Sequence, residues 1–388
     1  MRFLHTADWH VGRTIRGRSR ADEHRAVLSE VVGLAAEHDV DVVLVAGDVF
    51  DTATPGPESE DIVYRTLLDL TRTGARVVLL AGNHDNPRRL AAVRPLLDLT
   101  GVHVADTVRH PDDGGVLELE TPNGTARVAL VPFLSQRSIV KAQQLMELAA
   151  DQQAGRYAAR VRMVLDALAE RFHPDTVNVV LAHLTLAAST PTVGDGERLS
   201  HVLDYVVPPQ AMPVTAHYAA LGHLHRPHRV EAPCPAWYSG SPLHLDFGEK
   251  RGEKSVLLVD AEPGVPATVT PLPLAAGRRL RTLTGTLEQL EAQVADVGDD
   301  HLRVVVREPA AVGLADTVRS LFPGAVDVRV ARDDDARPTA ERQVDVGGRP
   351  DELLGRYLQE RDVADPALLE LFRTLWDEAT STDDAGAA

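Results

Sequence analysis

Four short segments of this chain combine carboxylates, an amide and imidazoles, which are the side chains that bind metal ions. They are Asp8-Trp9-His10, Gly47-Asp48, Gly82-Asn83-His84-Asp85 and Gly222-His223-Leu224-His225. His183 stands alone between the last two segments. A ligand set of this kind is what a protein needs to hold two divalent cations close together and direct them at a phosphate.

The spacing within the segments fits one shared site. Two cations about 3.5–4 Å apart need a bridging ligand, and a carboxylate can give one oxygen to each of them. Asp8 and His10 are two residues apart, and so are His223 and His225. At the end of an extended strand, side chains at positions i and i+2 point to the same side. Both members of each pair can therefore reach one metal cluster.

The elements that must position these segments have the patterns of buried strands and amphipathic helices. Apolar runs of strand length precede the segments and His183, at residues 2–6, 40–46, 76–81, 177–182 and 218–221. Apolar positions with helical spacing predict helices at residues 23–38, 58–72 and 88–99. This alternation predicts a largely parallel sheet covered by helices, with the site beyond the carboxyl ends of the strands.

The order D-x-H, GD, GNHD, H and GHxH resembles the calcineurin-like metallophosphoesterases. Four stretches are also similar to SbcD, a family of bacterial nuclease subunits, at residues 8–13, 47–51, 238–242 and 246–249. The likeness covers roughly residues 1–260. It implies an α/β fold, namely a four-layer αββα sandwich that carries a small α+β capping domain and C-terminal helices.

Carried over by position, the resemblance implies two manganese ions bridged by Asp48. The ligands implied for the first ion are Asp8, His10, Asp48 and His225. The ligands implied for the second ion are Asp48, Asn83, His183 and His223.

The resemblance also implies roles for two neighbours of these ligands. His84 would contact the scissile phosphate and help the leaving oxygen depart, and Asp85 would orient His84. A metal-bound water would attack the phosphorus in line. Some relatives carry a second histidine three residues after the bridging aspartate, where this chain has Asp51. If that histidine helps to rotate the phosphate, the endonuclease step works differently here.

Composition limits the class of protein. A length of 388 residues allows two or three domains. No apolar stretch is long enough to cross a membrane, and the first residues lack the apolar core of a signal peptide. Cys234 is the only cysteine, which excludes an intrachain disulfide and fits a reducing compartment. We therefore expect a cytoplasmic, nucleoid-associated protein.

The formal net charge of −17 argues against a simple DNA-binding surface. Bound cations would dominate the local field, and a partner would supply DNA affinity. Arginines next to the ligand segments would also touch phosphates, and these are Arg13, Arg16, Arg18, Arg20, Arg88 and Arg89. The alternative is that these arginines are solvated loop charges.

The organisation of the chain changes after residue 260. Prolines and glycines at residues 263–277 indicate a linker or an edge strand. Alternating strand and helix patterns then predict the capping domain at residues 275–338. A helical partner-binding segment is expected at residues 349–379, and residues 380–388 have the composition of a disordered tail.

The partner-binding segment carries an apolar stripe made of Leu368, Leu371, Phe372, Leu375 and Trp376. Such a stripe suits docking on a partner helix, and the alternative is packing on its own domain. The resemblance favours docking on the coiled-coil base of an SbcC-like ATPase.

Self-association is a further expectation, because relatives dimerise through helices that flank the GNHD segment. The face would be made here by Ile62, Leu67, Leu68, Leu70, Leu90, Leu96 and Leu97. Core packing of the same side chains is the alternative. A homodimer that binds the ATPase would form a heterotetramer.

The resemblance thus implies an Mn-dependent DNA exonuclease and endonuclease subunit. It would cleave double-strand ends and hairpins by two-metal phosphodiester hydrolysis, with the ATPase, in DNA repair, recombination and replication. Two alternatives stay open, namely another metallophosphoesterase (a phosphatase or small phosphodiesterase) and a non-catalytic scaffold for DNA ends. The C-terminal helices argue against the first alternative, and the complete ligand set with His84 argues against the second.

Overall fold

The computed structural model of the chain describes residues 1–146, 157–187, 205–249, 252–331, 354–355, 358 and 368–372. The chain divides into two compact units, Met1–Val330 and Ala331–Ala388. The strands of the first unit are β1 (Arg2–Thr6), β2 (Thr14–Ile15), β3 (Arg18–Ser19), β4 (Val42–Val45), β5 (Arg76–Leu80), β6 (Val102–Ala105), β7 (Val116–Thr121), β8 (Gly124–Val131), β9 (Val177–His183), β10 (Thr185–Leu186), β11 (Val206–Val207), β12 (Tyr218–Gly222), β13 (His228–Val230), β14 (Ala236–Tyr238), β15 (Ser255–Glu262), β16 (Val265–Pro273), β17 (Leu280–Gly285), β18 (His301–Val306) and β19 (Ala325–Val330). Its helices are α1 (Ala21–Glu37), α2 (Pro57–Arg72), α3 (Pro87–Asp98), α4 (Gln136–Leu145), α5 (Tyr157–Ala169), α6 (Leu287–Glu291) and α7 (Leu314–Leu321).

The first of two six-stranded sheets has the strand order β16-β15-β1-β4-β5-β6. Strands β1, β4, β5 and β6 are parallel, because α1, α2 and α3 return the chain to the start of each next strand. Strands β15 and β16 extend the sheet in antiparallel fashion. The proline-rich stretch is therefore an edge strand, where a missing backbone N–H is tolerated.

The second sheet has the strand order β13-β14-β12-β9-β8-β7. Its four central strands are parallel, and β13 and β7 run antiparallel at the two edges. The five strands predicted to precede the ligand segments are all present as β1, β4, β5, β9 and β12. Their ends differ from the predicted ends by no more than two residues.

Three apolar layers hold the sandwich together. Phe3 and Leu44 face the second sheet and belong to the core between the two sheets. Leu4 and Val43, their neighbours along the strands, pack under α1, α2 and α3. The outer face of the second sheet packs with α5 and α4 through residues such as Val180. Central strands are thus buried on both faces, and the predicted αββα sandwich is confirmed.

Strands β17, β18 and β19 form a separate parallel sheet. Helices α6 and α7 pack on it around Leu290, Val304 and Val318. The predicted order of strand and helix is present over residues 280–330. The domain boundaries at residues 260, 275 and 338 remain predictions, because residues 1–330 form one compact unit and residues 332–338 lie outside the described residues.

A buried ionic network joins this small sheet to α1. Arg20 donates to the carboxylate of Glu23 from Nη2 (2.7 Å) and Nε (3.1 Å), and from Nη1 to the carbonyl oxygen of His244. His301, the first residue of β18, has Nε2 2.7 Å from Glu23 Oε1. We call these four residues the Arg20 network. Arg20 is 1% exposed, so the prediction that it contacts DNA is wrong: its guanidinium is buried and held by partners within the chain.

Most side chains of the predicted dimer face belong to the core instead. The buried ones are Ile62, Leu67, Leu70, Leu90 and Leu97, which pack between the first sheet and its helices. For these residues the core-packing alternative is correct. Leu68 is partly exposed, and Leu96 on α3 is 68% exposed.

In the second unit, residues 354–355 and 368–372 are helical. Leu368 and Leu371 are exposed, and Phe372 is partly exposed. Leu375, Trp376 and the predicted tail lie outside the described residues. Among the helices that the structure describes in either unit, none combines the length and the apolar character needed to span a bilayer.

Candidate metal centre

The candidate site lies at the carboxyl ends of β1, β4, β5, β9 and β12. Four of its side chains belong to residues with positive φ, namely Asp8 (53°), His10 (47°), Asp48 (52°) and His223 (103°). Residues other than glycine rarely adopt this conformation, and such strain is concentrated at functional sites. Backbone hydrogen bonds hold two of the loops together: Asp8 N donates to Gly47 O (2.9 Å) and His10 N donates to Asp48 O (3.0 Å).

Two glycines allow the strand ends to approach one another closely. A Cβ atom on Gly82 would overlap the carboxylate of Asp48, and one on Gly222 would overlap the carbonyl oxygen of Ala46. The glycines before Asn83 and His223 are therefore required by contact between neighbouring loops.

Carboxylates and imidazoles gather in three overlapping groups, within each of which the candidate ligand atoms lie within 4.8 Å of one another. The groups are Asp8 with His10 and His225, His10 with Asp48 and His84, and Asp48 with His183 and His223. Asp48 is buried and belongs to two groups, so one carboxylate reaches both halves of the site. We call the following residues the ligand cluster: Asp8, His10, Asp48, Asn83, His183, His223 and His225.

In the half of the cluster around Asn83, acceptor atoms converge. His183 Nδ1 lies 2.7 Å from the carbonyl oxygen of Ala46, and since a carbonyl only accepts, this nitrogen carries the proton of the neutral ring. When the ring is neutral, as a bound cation requires, His183 Nε2 turns a lone pair towards Asn83 Oδ1 (2.9 Å) and Asp48 Oδ2 (3.4 Å). His223 Nδ1 is also 2.9 Å from Asn83 Oδ1. Lone pairs that converge from imidazole, amide and carboxylate groups suit a divalent cation.

In the other half, a buried ring nitrogen, Nε2 of His10, has no hydrogen-bond partner among the described residues. His10 Nδ1 lies 3.4 Å from Asp51 Oδ1 and His225 Nδ1 lies 3.7 Å from Glu249 Oε1, so these two nitrogens face carboxylates outside the ligand cluster. His10 Nε2 lies 3.7 Å from Asp48 Oδ2, and the His10 and His225 ring centroids are 4.9 Å apart. A buried polar atom left unsatisfied costs about 1–3 kcal/mol and calls for an explanation such as a bound ion. Both halves therefore fit divalent cations.

The charges of the cluster favour a cation at the same place. Burial alone would raise the pKa of Asp48 and lower that of His183. Their mutual attraction outweighs burial, so the pKa of Asp48 lies well below its ordinary range and the pKa of His183 is raised to about 9. A proton on His183 Nε2 would occupy the position between this ring and Asp48. Because a cation must displace that proton, we expect cation affinity to rise with pH.

His84 lies beside the ligand cluster and is oriented by Asp51. Its Nδ1 is 2.9 Å from the carbonyl oxygen of Asp51, and its backbone N donates to Asp48 Oδ1 (2.8 Å). The His84 ring centroid is 4.7 Å from that of His10. The prediction that Asp85 orients His84 is wrong, since the ring is held by a backbone carbonyl from the loop after β4.

Asp85 instead joins the loops that follow β4 and β5. Its carboxylate accepts hydrogen bonds from the backbone N–H groups of Gly82 (2.9 Å) and Phe50 (3.0 Å). Burial and the nearby charge of Asp48 raise the pKa of Asp85 to about 7. Asp85 therefore supports the loop geometry rather than the His84 ring.

Sequence reasoning missed a buried carboxylate on the far side of His225. Glu249 Oε1 lies 3.7 Å from His225 Nδ1, and Lys254 Nζ donates to Glu249 Oε2 (2.8 Å). Burial would raise the pKa of Glu249, but Lys254 and His225 outweigh it and lower this pKa to about 2. The only signal in the sequence was the position of Glu249 in a stretch that resembles the SbcD family.

The other arginines predicted to contact DNA lie at or near the surface. Ion pairs join Arg13 to Asp51 (3.3 Å), Arg16 to Asp327 (2.8 Å) and Arg89 to Glu60 (2.6 Å). Arg18 and Arg88 are exposed. Contact of these five arginines with DNA remains a prediction.

The fold and the ligand cluster together define a metallophosphoesterase. Residues 1–227, which include the whole ligand cluster, match the model of the calcineurin-like phosphoesterase family. The chain is 37% identical to the SbcD component of the SbcCD nuclease of Bacillus subtilis over 285 residues, which are 72% of this chain and 71% of that protein. The chain therefore belongs to the SbcD family of calcineurin-like phosphoesterases, and it is a metal-dependent enzyme of that class.

Two further relatives have the same name. The SbcD component of the SbcCD nuclease of Rhodobacter capsulatus is 36% identical over 286 residues, covering 70% of this chain and 69% of that protein. The SbcD component of Escherichia coli is 31% identical over 319 residues, which are 80% of this chain and 76% of that protein. The likeness thus extends beyond the residues matched by the phosphoesterase model.

Proposed function

We propose that this chain is a DNA nuclease subunit that hydrolyses phosphodiester bonds with two Mn²⁺ ions. The observation that carries the proposal is that Asp48 belongs to two of the three groups of candidate ligands, one of which also contains His84. The relatives named as nuclease subunits support DNA as the substrate. The activity would be that of an exonuclease and endonuclease on double-strand ends and hairpins, in repair, recombination and replication at the nucleoid.

Each ion would take four ligands from the cluster. The first would be bound by Asp8, His10, Asp48 and His225, and the second by Asp48, Asn83, His183 and His223. When bound, the two cations would activate water as the nucleophile and neutralise the charge on the phosphate. The ligand rings and carboxylates are held in advance by strained backbone and by contacts between loops, so little ordering would be needed on binding.

His84 would act on the substrate directly. Because its Nδ1 donates to the carbonyl oxygen of Asp51, only Nε2 is left to approach the phosphate. In the doubly protonated ring, Nε2–H can donate to a phosphate oxygen and then to the departing oxygen. Proton transfer of this kind contributes typically about 10²–10⁴-fold to the rate.

The partners are proposals of the same kind. An SbcC-like coiled-coil ATPase would bind the segment that contains the exposed Leu368 and Leu371, and it would add DNA affinity that a chain with a net charge of −17 lacks. A homodimer would use the exposed Leu96 rather than the buried leucines near it. Two copies with the ATPase would then form a heterotetramer.

The experiment that tests the proposal measures cleavage of end-labelled duplex and hairpin DNA by the purified chain with Mn²⁺. Asp48→Ala should abolish cleavage because it removes a ligand from both halves. His84→Gln should bind the cations like the wild type but cleave about 10²–10⁴-fold more slowly. His110→Gln, at a partly exposed histidine outside the cluster, is the matched control and should be fully active.

The alternatives give different results in the same assay. Hydrolysis of a phosphomonoester with DNA left intact would indicate a phosphatase. If neither substrate is cleaved, the assay is repeated with an SbcC-type ATPase. Failure there, with two cations bound, would indicate a scaffold for DNA ends.

A further inference from the structure

His225 is enclosed on the side away from the ligand cluster by a small buried polar group. The side chains of His225, Glu249 and Lys254 are only 6%, 6% and 9% exposed. Glu249 Oε1 lies 3.7 Å from His225 Nδ1. A carboxylate this well buried needs a reason to be there, because removing its charge from water is costly unless the charge is paired.

Lys254 fixes the position of that carboxylate. The lysine has three N–H donors, and each has an acceptor: Glu249 Oε2 (2.8 Å), Ser241 Oγ (2.8 Å) and the carbonyl oxygen of His225 (3.0 Å). The other carboxylate oxygen accepts from the backbone N–H of Leu245 (3.0 Å). Lys254 thus links the carboxylate of Glu249 to the backbone of His225, the residue whose ring this carboxylate faces.

The position of Glu249 determines which ring nitrogen of His225 can carry the proton. Nδ1 is buried and makes no hydrogen bond to any described residue. A lone pair on Nδ1 would face a negative oxygen, whereas an N–H there would be attracted to it. If Glu249 Oε1 and His225 Nδ1 came closer by about 1 Å, they would form a hydrogen bond of ordinary length. With Nδ1 protonated, Nε2 is the nitrogen left to face Asp8 and His10, the other members of its group.

We propose that Glu249, anchored by Lys254, is a positioning residue that fixes the tautomer and orientation of His225 for one of the two cations. The inference rests on the two-cation site of the proposed function and adds a role that concerns one half of it. Mutation of a carboxylate that holds the second nitrogen of a ligand histidine typically lowers metal affinity or activity by about 10–100-fold.

The test is titration calorimetry of Mn²⁺ binding to the full chain without DNA. The wild type should bind two ions. In Glu249→Gln, which keeps the shape but removes the charge, one site should weaken about 10–100-fold while the other keeps its affinity. Lys254→Met should weaken the same site. Glu253→Gln, at an exposed glutamate four residues away, is the matched control and should bind both ions like the wild type.

A second measurement determines the tautomer of His225 in the wild type itself. In the wild type with ¹⁵N-labelled histidine and Cd²⁺ as a diamagnetic probe, NMR should show a proton on Nδ1 of His225 and the metal on Nε2. The His225→Gln spectrum assigns the signal. A proton on Nε2, or unchanged affinity of both sites in a folded Glu249→Gln variant, would overturn the inference. A wild type that binds no cations would instead overturn the proposed function itself.

Discussion

The ligand cluster and the Arg20 network are both buried groups of histidines and carboxylates, but only one of them contains its own cation. In the network, Glu23 accepts from Arg20, from His301 and from the backbone N–H of Arg278. In the cluster, no arginine or lysine among the described residues forms an ion pair with Asp8 or Asp48. Imidazoles surround Asp48 instead.

This difference separates a structural group from a binding site. A buried carboxylate is stable when a fixed positive group satisfies it, and Arg20 does this permanently between α1 and the loop that contains His244. In the cluster the same need is met only by protons or by a metal ion, which becomes the dominant charge of the site when it binds. Removal of a charged side chain from the Arg20 network should therefore lower the stability of the protein, whereas removal of one from the ligand cluster should weaken metal binding.

The largest effect on stability is expected for Arg20→Met. Breaking a buried ion pair by removing one partner typically costs about 3–5 kcal/mol, because Glu23 is left without its main partner. The free energy of unfolding, measured with urea, should fall by that amount both in EDTA and in Mn²⁺. Arg18→Met, at an exposed arginine two residues away, is the control and should change it by no more than about 0.5 kcal/mol. A variant as stable as the wild type would remove the distinction between the two groups.

A smaller effect is expected for Asp48→Asn, and unlike that of Arg20→Met it should depend on the presence of Mn²⁺. Mn²⁺ at ten times its dissociation constant should stabilise the wild type by about 1.4 kcal/mol for each site, and thus by about 2.8 kcal/mol for both. Asp48→Asn should lose most of that gain, because the residue serves both halves of the cluster. The measurement is the shift of the urea midpoint between EDTA and Mn²⁺, with the exposed Asp98→Asn as the control. A full Mn²⁺ shift in Asp48→Asn would mean that the cations bind elsewhere.

The smallest effect is expected for the pH dependence of the stability that the Arg20 network provides. Burial would raise the pKa of Glu23, but His301 and Arg20 outweigh it and hold this pKa well below its ordinary value of 4.5. A lowered pKa in the folded state stabilises the protein above the unfolded value and loses that effect as the pH falls below it. The stability advantage of the wild type over Glu23→Gln should therefore be constant from pH 7 to about 5 and shrink towards pH 3. An advantage that is independent of pH would show that Glu23 acts through packing alone.

The strands and the gathering of most members of the ligand cluster could be predicted because their signals are local. A buried parallel strand is a short apolar run, and the polar residues that follow it must lie at the carboxyl edge of the sheet. Thus Asp48 after β4 and Asn83 after β5 could be placed at one site from a few residues each. The same reasoning failed for Arg20 and Asp85, whose surroundings are set by packing.

The sequence by itself determined the alternation of strands and helices, the position of the site at the strand ends and the residue types of the ligand cluster. These features could be predicted because the spacing of apolar residues and the residues of a turn act within a few positions of the chain. Tertiary structure decided the partners. Arg20 meets a carbonyl 224 residues away, and Glu23 meets a histidine 278 residues away. His84 is oriented by a carbonyl 33 residues before it. No local pattern specifies such contacts, since they depend on how the two large sheets and the small one close against each other and on which buried charge finds which counter-charge.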